Sequence, residues 1–231
     1  NPAGSEPAPP AAIRRVVSGW EPPPPAGGLA WRTEKLLPRA GSPHDVVEFS
    51  WASETAKHVG TVVHRFLQLV AEEGPDRWGA QRAGAMREIF ARDLRRLGVP
   101  DAELKGAVAR VHGALVACLG AERGRWLLAA REDARSELRL TGIVEGELVS
   151  VAIDRTFVDE HGTRWIVDYK TGMHEGADVE AFLDREQERY RGQLEHYAAL
   201  MREIDSRPIR LGLYFPLLNG WREWARPAPR P

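Results

Sequence analysis

The chain has 231 residues, enough for one sizeable domain with a tail, and its 43% hydrophobic and 28% charged residues are the balance of an ordinary globular protein. No apolar run is long enough to cross a bilayer, and the first residues lack the basic start and apolar core of a secretory signal, so a cytoplasmic location without a membrane partner is expected. Lysine and arginine number 32 against 33 acidic residues, so net charge does not advertise a nucleic-acid binder, and arginine groups such as Arg92, Arg95 and Arg96 read equally well as solvated helix faces.

Residues 1–31 carry Pro7, Pro9, Pro10 and Pro22 through Pro25, followed by Gly27 and Gly28. Such a stretch cannot bury a core and reads as a linker or arm, one that would join the domain to a longer parent chain. One domain is expected over 32–225 and a proline-rich tail over 226–231. From Val59 onward, Val62, Val63, Phe66, Leu67 and Val70 recur with helical period. A second helix is predicted over Trp78–Leu97, closed by Gly98 and Pro100. A third runs from Asp101, with Leu104, Val108, Val111, Leu115 and Leu119 on one stripe. The lone Cys118 lies in that stripe and reads as a core thiol; a single cysteine excludes an intramolecular disulfide and an iron–sulfur cluster.

Near Glu137 the pattern changes to strand formers separated by turn residues: Glu137–Ile143, Glu147–Phe157 and Thr163–Lys170. A long helix follows over roughly Val179–Glu203, then a buried strand Ile209–Pro216 and a short edge strand Trp221–Trp224. Helices first, then a hairpin-rich sheet, then a helix and a returning strand predict an α/β domain with a mixed central sheet.

The turn Glu160-His161-Gly162 has the length and the glycine of a three-residue hairpin loop, which sets Asp159 opposite Thr163. Counting back, Asp154 falls opposite Asp168 and Ala152 opposite Lys170. Directly opposed side chains stand about 4.5–5.5 Å apart at Cβ, so two carboxylates there repel unless a hard divalent cation lies between them. Lys170, two residues beyond Asp168, projects from the same face and suits the charge of a phosphate or the orientation of an attacking water. Exposed hairpin charges are the plain alternative, and Asp-x-Lys by itself is common. The apolar runs Val151-Ala152-Ile153 and Trp165-Ile166-Val167, each ending in an aspartate, favour a site.

His64 stands at the border of the first helix's apolar stripe, where a histidine packs more often than it ligates; beside a carboxylate pair it becomes a third ligand that adds no charge. On the long helix Arg189, Gln193 and Tyr197 share a face, and for Gln193 and Tyr197 packing and substrate contact are equally good explanations. Glu137 either reaches the site or caps the sheet edge. Core packing explains most of the eight tryptophans, though base stacking stays open for some.

Taken in order, Gly60-x-x-x-His64, Glu137, Ile153-Asp154-Arg155, Val167-Asp168-Tyr169-Lys170-Thr171-Gly172 and Gln193-Leu194-x-x-Tyr197 resemble the RecB-type nuclease domains of the PD-(D/E)XK superfamily, most closely the C-terminal module of AddA and RecB helicase-nucleases. Ala152 departs from the glycine frequent there. The resemblance implies a restriction-endonuclease-like core with an N-terminal helical part. It also implies a Mg²⁺ site (Mn²⁺ as an alternative) formed by His64, Asp154, Asp168 and the Tyr169 carbonyl. Asp154, Asp168 and Lys170 would be catalytic, and Arg155, Arg189, Gln193 and Tyr197 would contact substrate. The expected function is DNA phosphodiester hydrolysis in double-strand break repair, on single strands delivered by a helicase domain of the parent chain, with a second subunit as a further partner. A non-catalytic docking module and a stand-alone endonuclease are the competing readings.

Overall fold

A computed structural model describes residues 51–144, 146–173 and 178–225. The predicted arm over 1–31 and tail over 226–231 lie outside the described residues.

Helix α1 (Trp51–Glu73) buries Val59, Val62, Val63, Phe66, Leu67 and Val70, the stripe its period announces. It starts earlier than Val59 because Glu54, Ala56 and Lys57 are strong helix formers that extend it while staying exposed. The predicted second helix is divided into α2 (Ala80–Ala85) and α3 (Arg87–Arg96) at Met86, next to the poor helix former Gly84. Helix α4 (Asp101–Gly120) buries Leu104, Val111, Leu115, Cys118 and Leu119. Burial pushes the Cys118 thiol up to about 12, so it is an inert core group. Ala121 then turns extended and a short helix α5 (Glu122–Leu128), which periodicity did not separate from α4, follows.

The sheet has the order β1 (Glu132–Val144), β2 (Glu147–Val158), β3 (Arg164–Tyr169), β4 (Ile209–Phe215) and β5 (Gly220–Ala225). Among the described strands only β3 and β4 are parallel, and helix α6 (Val179–Arg202) makes the crossover that a parallel pair requires. The mixed sheet flanked by helices is the architecture the sequence predicts. Strand β1 starts before Glu137, entering the ladder through an irregularity between Glu132 and Arg135 where Asp133 has φ +47°.

Each face of the sheet carries its own core. Phe157, Trp165, Val167, Tyr169 and Tyr214 pack against α1, α3, α4 and α5. Ile153, Ile166, Leu211, Leu213 and Phe215 pack against Leu194, Tyr197 and Ala198 of α6. Trp126, Phe157 and Trp165 meet edge to face at 5.0 and 5.2 Å, so for these two tryptophans packing is the explanation.

The β2–β3 turn closes as its residues require. Gly162 takes φ +75°, its N–H donates to the Asp159 carbonyl at 3.0 Å, and the Asp159 N–H donates to the Thr163 carbonyl at 3.0 Å. The resulting register runs from Val158↔Arg164 to Arg155↔Val167, which leaves Asp154 and Asp168 as the next opposed positions.

Candidate active site and metal centre

Strand residues two apart normally share a face. In β2 that rule breaks at Asp154. Val151 and Ile153 pack on the α6 side, whereas Phe157 packs on the opposite side and Arg155 reaches the α5 backbone there. Across the ladder Glu137, between the pairs Ser136↔Arg155 and Leu138↔Ile153, has φ +51°. The two residues at this twist, Glu137 and Asp154, are thereby turned out of the ordinary alternation.

Asp154 turns toward α1 and the end of β3. Its Oδ1 lies 3.5 Å from His64 Nδ1, and its Oδ2 accepts the Tyr169 N–H at 2.7 Å. The other imidazole nitrogen, Nε2, is 3.0 Å from the Tyr169 carbonyl oxygen. Gly60 lies one turn earlier on the same face of α1. A Cβ at Gly60 would stand 2.9 Å from Thr171 Oγ1, so a side chain there would force the threonine hydroxyl to shift.

Asp168 is almost fully buried, with its side chain 6% exposed, and its Oδ2 sits 2.8 Å from Lys170 Nζ, an ion pair rather than an aligned hydrogen bond. Burial and the neighbouring Asp154 charge push the Asp168 carboxyl up, against the pull of Lys170. Burial opposes the charge on Lys170, but Asp168 outweighs it and holds the ammonium above its ordinary range. Burial likewise opposes a charge on His64, and the Asp154 and Asp168 carboxylates together with the Tyr169 carbonyl raise its pKa in spite of it. Glu137 is raised by burial and then by Asp154. The centre is thus an excess of carboxylate oxygens in a partly desolvated corner, which is the environment a hard divalent cation satisfies.

His64, Glu137 and Asp154 each offer a ligand atom, all within 4.8 Å of one another. Of the expected ligand set, the structure brings His64, Asp154 and the Tyr169 carbonyl together and holds Asp168 beside them on Lys170. Glu137, for which the sequence left two roles open, belongs to the cluster. Its signal was slight: an acidic residue amid strand formers, opposite Asp154 only once the β1–β2 register is known.

The expected substrate contacts divide. Tyr197 is buried and its hydroxyl receives a hydrogen bond from Gln193 Nε2; the Tyr197 phenol feels the charges of Asp168 and Asp154. Gln193 itself is exposed, so the cost of burying its amide does not arise. Arg189 is exposed and pairs with Glu186 at 3.5 Å. Arg155, expected at the substrate, corrects that expectation. Only 4% exposed, its guanidinium donates to the Leu127 carbonyl at 3.1 Å, the Ala129 carbonyl at 3.0 Å and Ser136 Oγ at 3.3 Å. A buried guanidinium must spend its donors on fixed acceptors, and the last carbonyls of α5 supply them.

A search of curated proteins finds no match. Among solved structures, one described as "Crystal structure of SSO0001" is similar at 15% identity with a TM-score of 0.30, over 77% of this chain and 76% of that one, a likeness too loose to bear on function. The sequence pattern of the PD-(D/E)XK nuclease superfamily matches residues 32–225, most of the chain, and includes every member of the centre described above. The chain belongs to the PD-(D/E)XK nuclease superfamily.

Proposed function

We propose that this chain is a Mg²⁺- or Mn²⁺-dependent deoxyribonuclease module of the RecB type. In this reading it cuts single strands exonucleolytically as a helicase domain of a longer parent chain delivers them during double-strand break repair. The observation that supports it is the convergence of His64, Asp154, the Tyr169 carbonyl, Asp168 and Lys170 at the end of one buried strand. Asp154, Asp168, His64 and the Tyr169 carbonyl would hold the cation, with Glu137 beside them. Bound there, a divalent cation supplies Lewis acidity toward a phosphate oxygen and acidifies water.

The chain's own groups do the rest. Lys170, kept as an ammonium, offsets the charge that builds on the phosphate oxygens. Tyr197 and Gln193, hydrogen-bonded to each other on the α6 face, contribute polar groups beside the carboxylates. The superfamily membership favours hydrolysis over a docking role, because all the polar groups of the centre are present together. The test is cleavage of single- and double-stranded DNA with Mg²⁺ or Mn²⁺ by the chain and by Asp154→Ala, Asp168→Ala and Lys170→Ala. Loss of about 10²-fold or more in each variant is expected. Metal-dependent cutting that survives all three substitutions would overturn the reading.

A further inference from the structure

Lys170 is held from two sides. One partner is Asp168, at 2.8 Å. The other is an aromatic face: Lys170 Nζ stands 3.7 Å from the centre of the Tyr190 ring, well inside cation–π range. Tyr190 is on α6, half-buried against the core that Leu194 and Tyr197 help form, and precedes Gln193 by three positions, so it occupies the same side of the helix. A lysine head sits on four flexible carbons with large rotamer entropy, so one ion pair leaves it free to swing. A carboxylate and a ring face together define a position.

We infer that Tyr190 is a positioning residue for the nuclease reaction, its ring face holding the Lys170 ammonium at the carboxylate centre. The inference rests on the nuclease reading above. Asp168 serves that reading also as a ligand, and its charge is then shared; the Tyr190 ring is no ligand and holds the ammonium whichever way Asp168 is engaged. Arg189, paired with Glu186, has its guanidinium 5.3 Å from the same ring. The phenol hydroxyl has no part in this role, which separates it from a Tyr190 acting as proton donor.

The test has two readouts. In DNA cleavage, Tyr190→Leu should lower kcat about tenfold with KM little changed, and Tyr190→Phe should restore activity to within about threefold of the parent. Phenylalanines of increasing fluorination at position 190, which drain the ring face of negative potential at nearly constant shape, should lower kcat stepwise. In the Lys170→Ala background Tyr190→Leu should cost nothing further. Independently of activity, the Lys170 ε-methylene resonances should show an upfield ring-current shift that Tyr190→Leu abolishes. A flat fluorination series, or full activity in Tyr190→Leu, would overturn the assignment. So would a Lys170 resonance that does not respond to Tyr190. If the parent cuts no DNA while the ring-current shift is present, the nuclease reading fails and the Lys170–Tyr190 contact stands.

Discussion

Glu137 holds φ +51° in the middle of a strand, a conformation that costs a non-glycine residue of order 1 kcal/mol or more. Such a residue persists only where the surroundings demand it, and here the demand is the change of face in β2 that turns Asp154 toward His64. The carboxylate and the backbone of Glu137 can therefore be separated experimentally. Glu137→Gly relieves the backbone and removes the ligand atom. It should be as stable as the parent, or up to about 1 kcal/mol more so, while needing about tenfold more Mg²⁺ for half-maximal cleavage. Thermal unfolding and a metal titration check the two halves; a variant destabilised by more than 1 kcal/mol refutes the backbone account. Most of the centre was legible at this scale. Asp154, Asp168 and Lys170 follow from a hairpin register that one glycine turn fixes. Glu137 was legible only as one of two roles, because its part depends on a local twist that propensity disfavours, and Tyr190 was not, because its part depends on how α6 lies over β3.

Among the elements, α1 and the end of β3 form the working junction. They meet where Gly60 leaves room for the Thr171 hydroxyl and where His64 contacts the Tyr169 carbonyl. Gly60→Val puts a branched side chain against Thr171 Oγ1, and the shift this forces on Thr171 is expected to reach Tyr169 and Lys170 just before it. Loss of cleavage by about 10²-fold is expected with a destabilisation of only about 1–2 kcal/mol, since the core stripe of α1 stays intact. Comparison of kcat/KM with urea unfolding decides it: activity within threefold of the parent would show that the junction tolerates a spacer. The period of α1 and the alternation of the strands were readable because burial on one face enforces them. The division at Met86 and the separate α5 were not, because neither break carries a proline. Arg155 was misplaced for a related reason. Its neighbour Asp154 marks a site, but the twist between them turns the guanidinium to the sheet face that α5 covers, onto the Leu127 and Ala129 carbonyls.

Across the whole molecule, the end of the sheet opposite the carboxylates is fastened by charge. Arg164 begins β3 and is buried; its Nε donates to Asp205 Oδ2 at 2.7 Å, and two further N–H groups reach the Asp133 carbonyl and carboxylate at 3.1 and 3.2 Å. The Arg207 backbone N–H donates to Asp205 Oδ1 at 3.0 Å, and the Arg207 guanidinium reaches Glu132 at 2.9 Å. The start of β1, the start of β3 and the loop entering β4 are thus one network, which fixes the parallel β3–β4 pairing that leads to Asp168↔Leu213. Burial alone would push the Asp205 carboxyl up, but these hydrogen bonds and the two guanidinium charges outweigh it and hold it below its ordinary value. A carboxylate depressed in the folded state contributes stability that is present above its unfolded pKa of about 3.9 and is lost as pH falls through the lower folded value. Asp205→Asn should therefore cost about 2–3 kcal/mol at pH 7, because it leaves Arg164 with half its anionic partners in a buried place. The gap between variant and parent should narrow below about pH 4, as the parent's own carboxylate takes up a proton. Urea unfolding of both proteins between pH 3 and pH 7 reads this directly. A constant difference across that range would mean that Asp205 acts through packing, and that the far end of the sheet is not held by its charge.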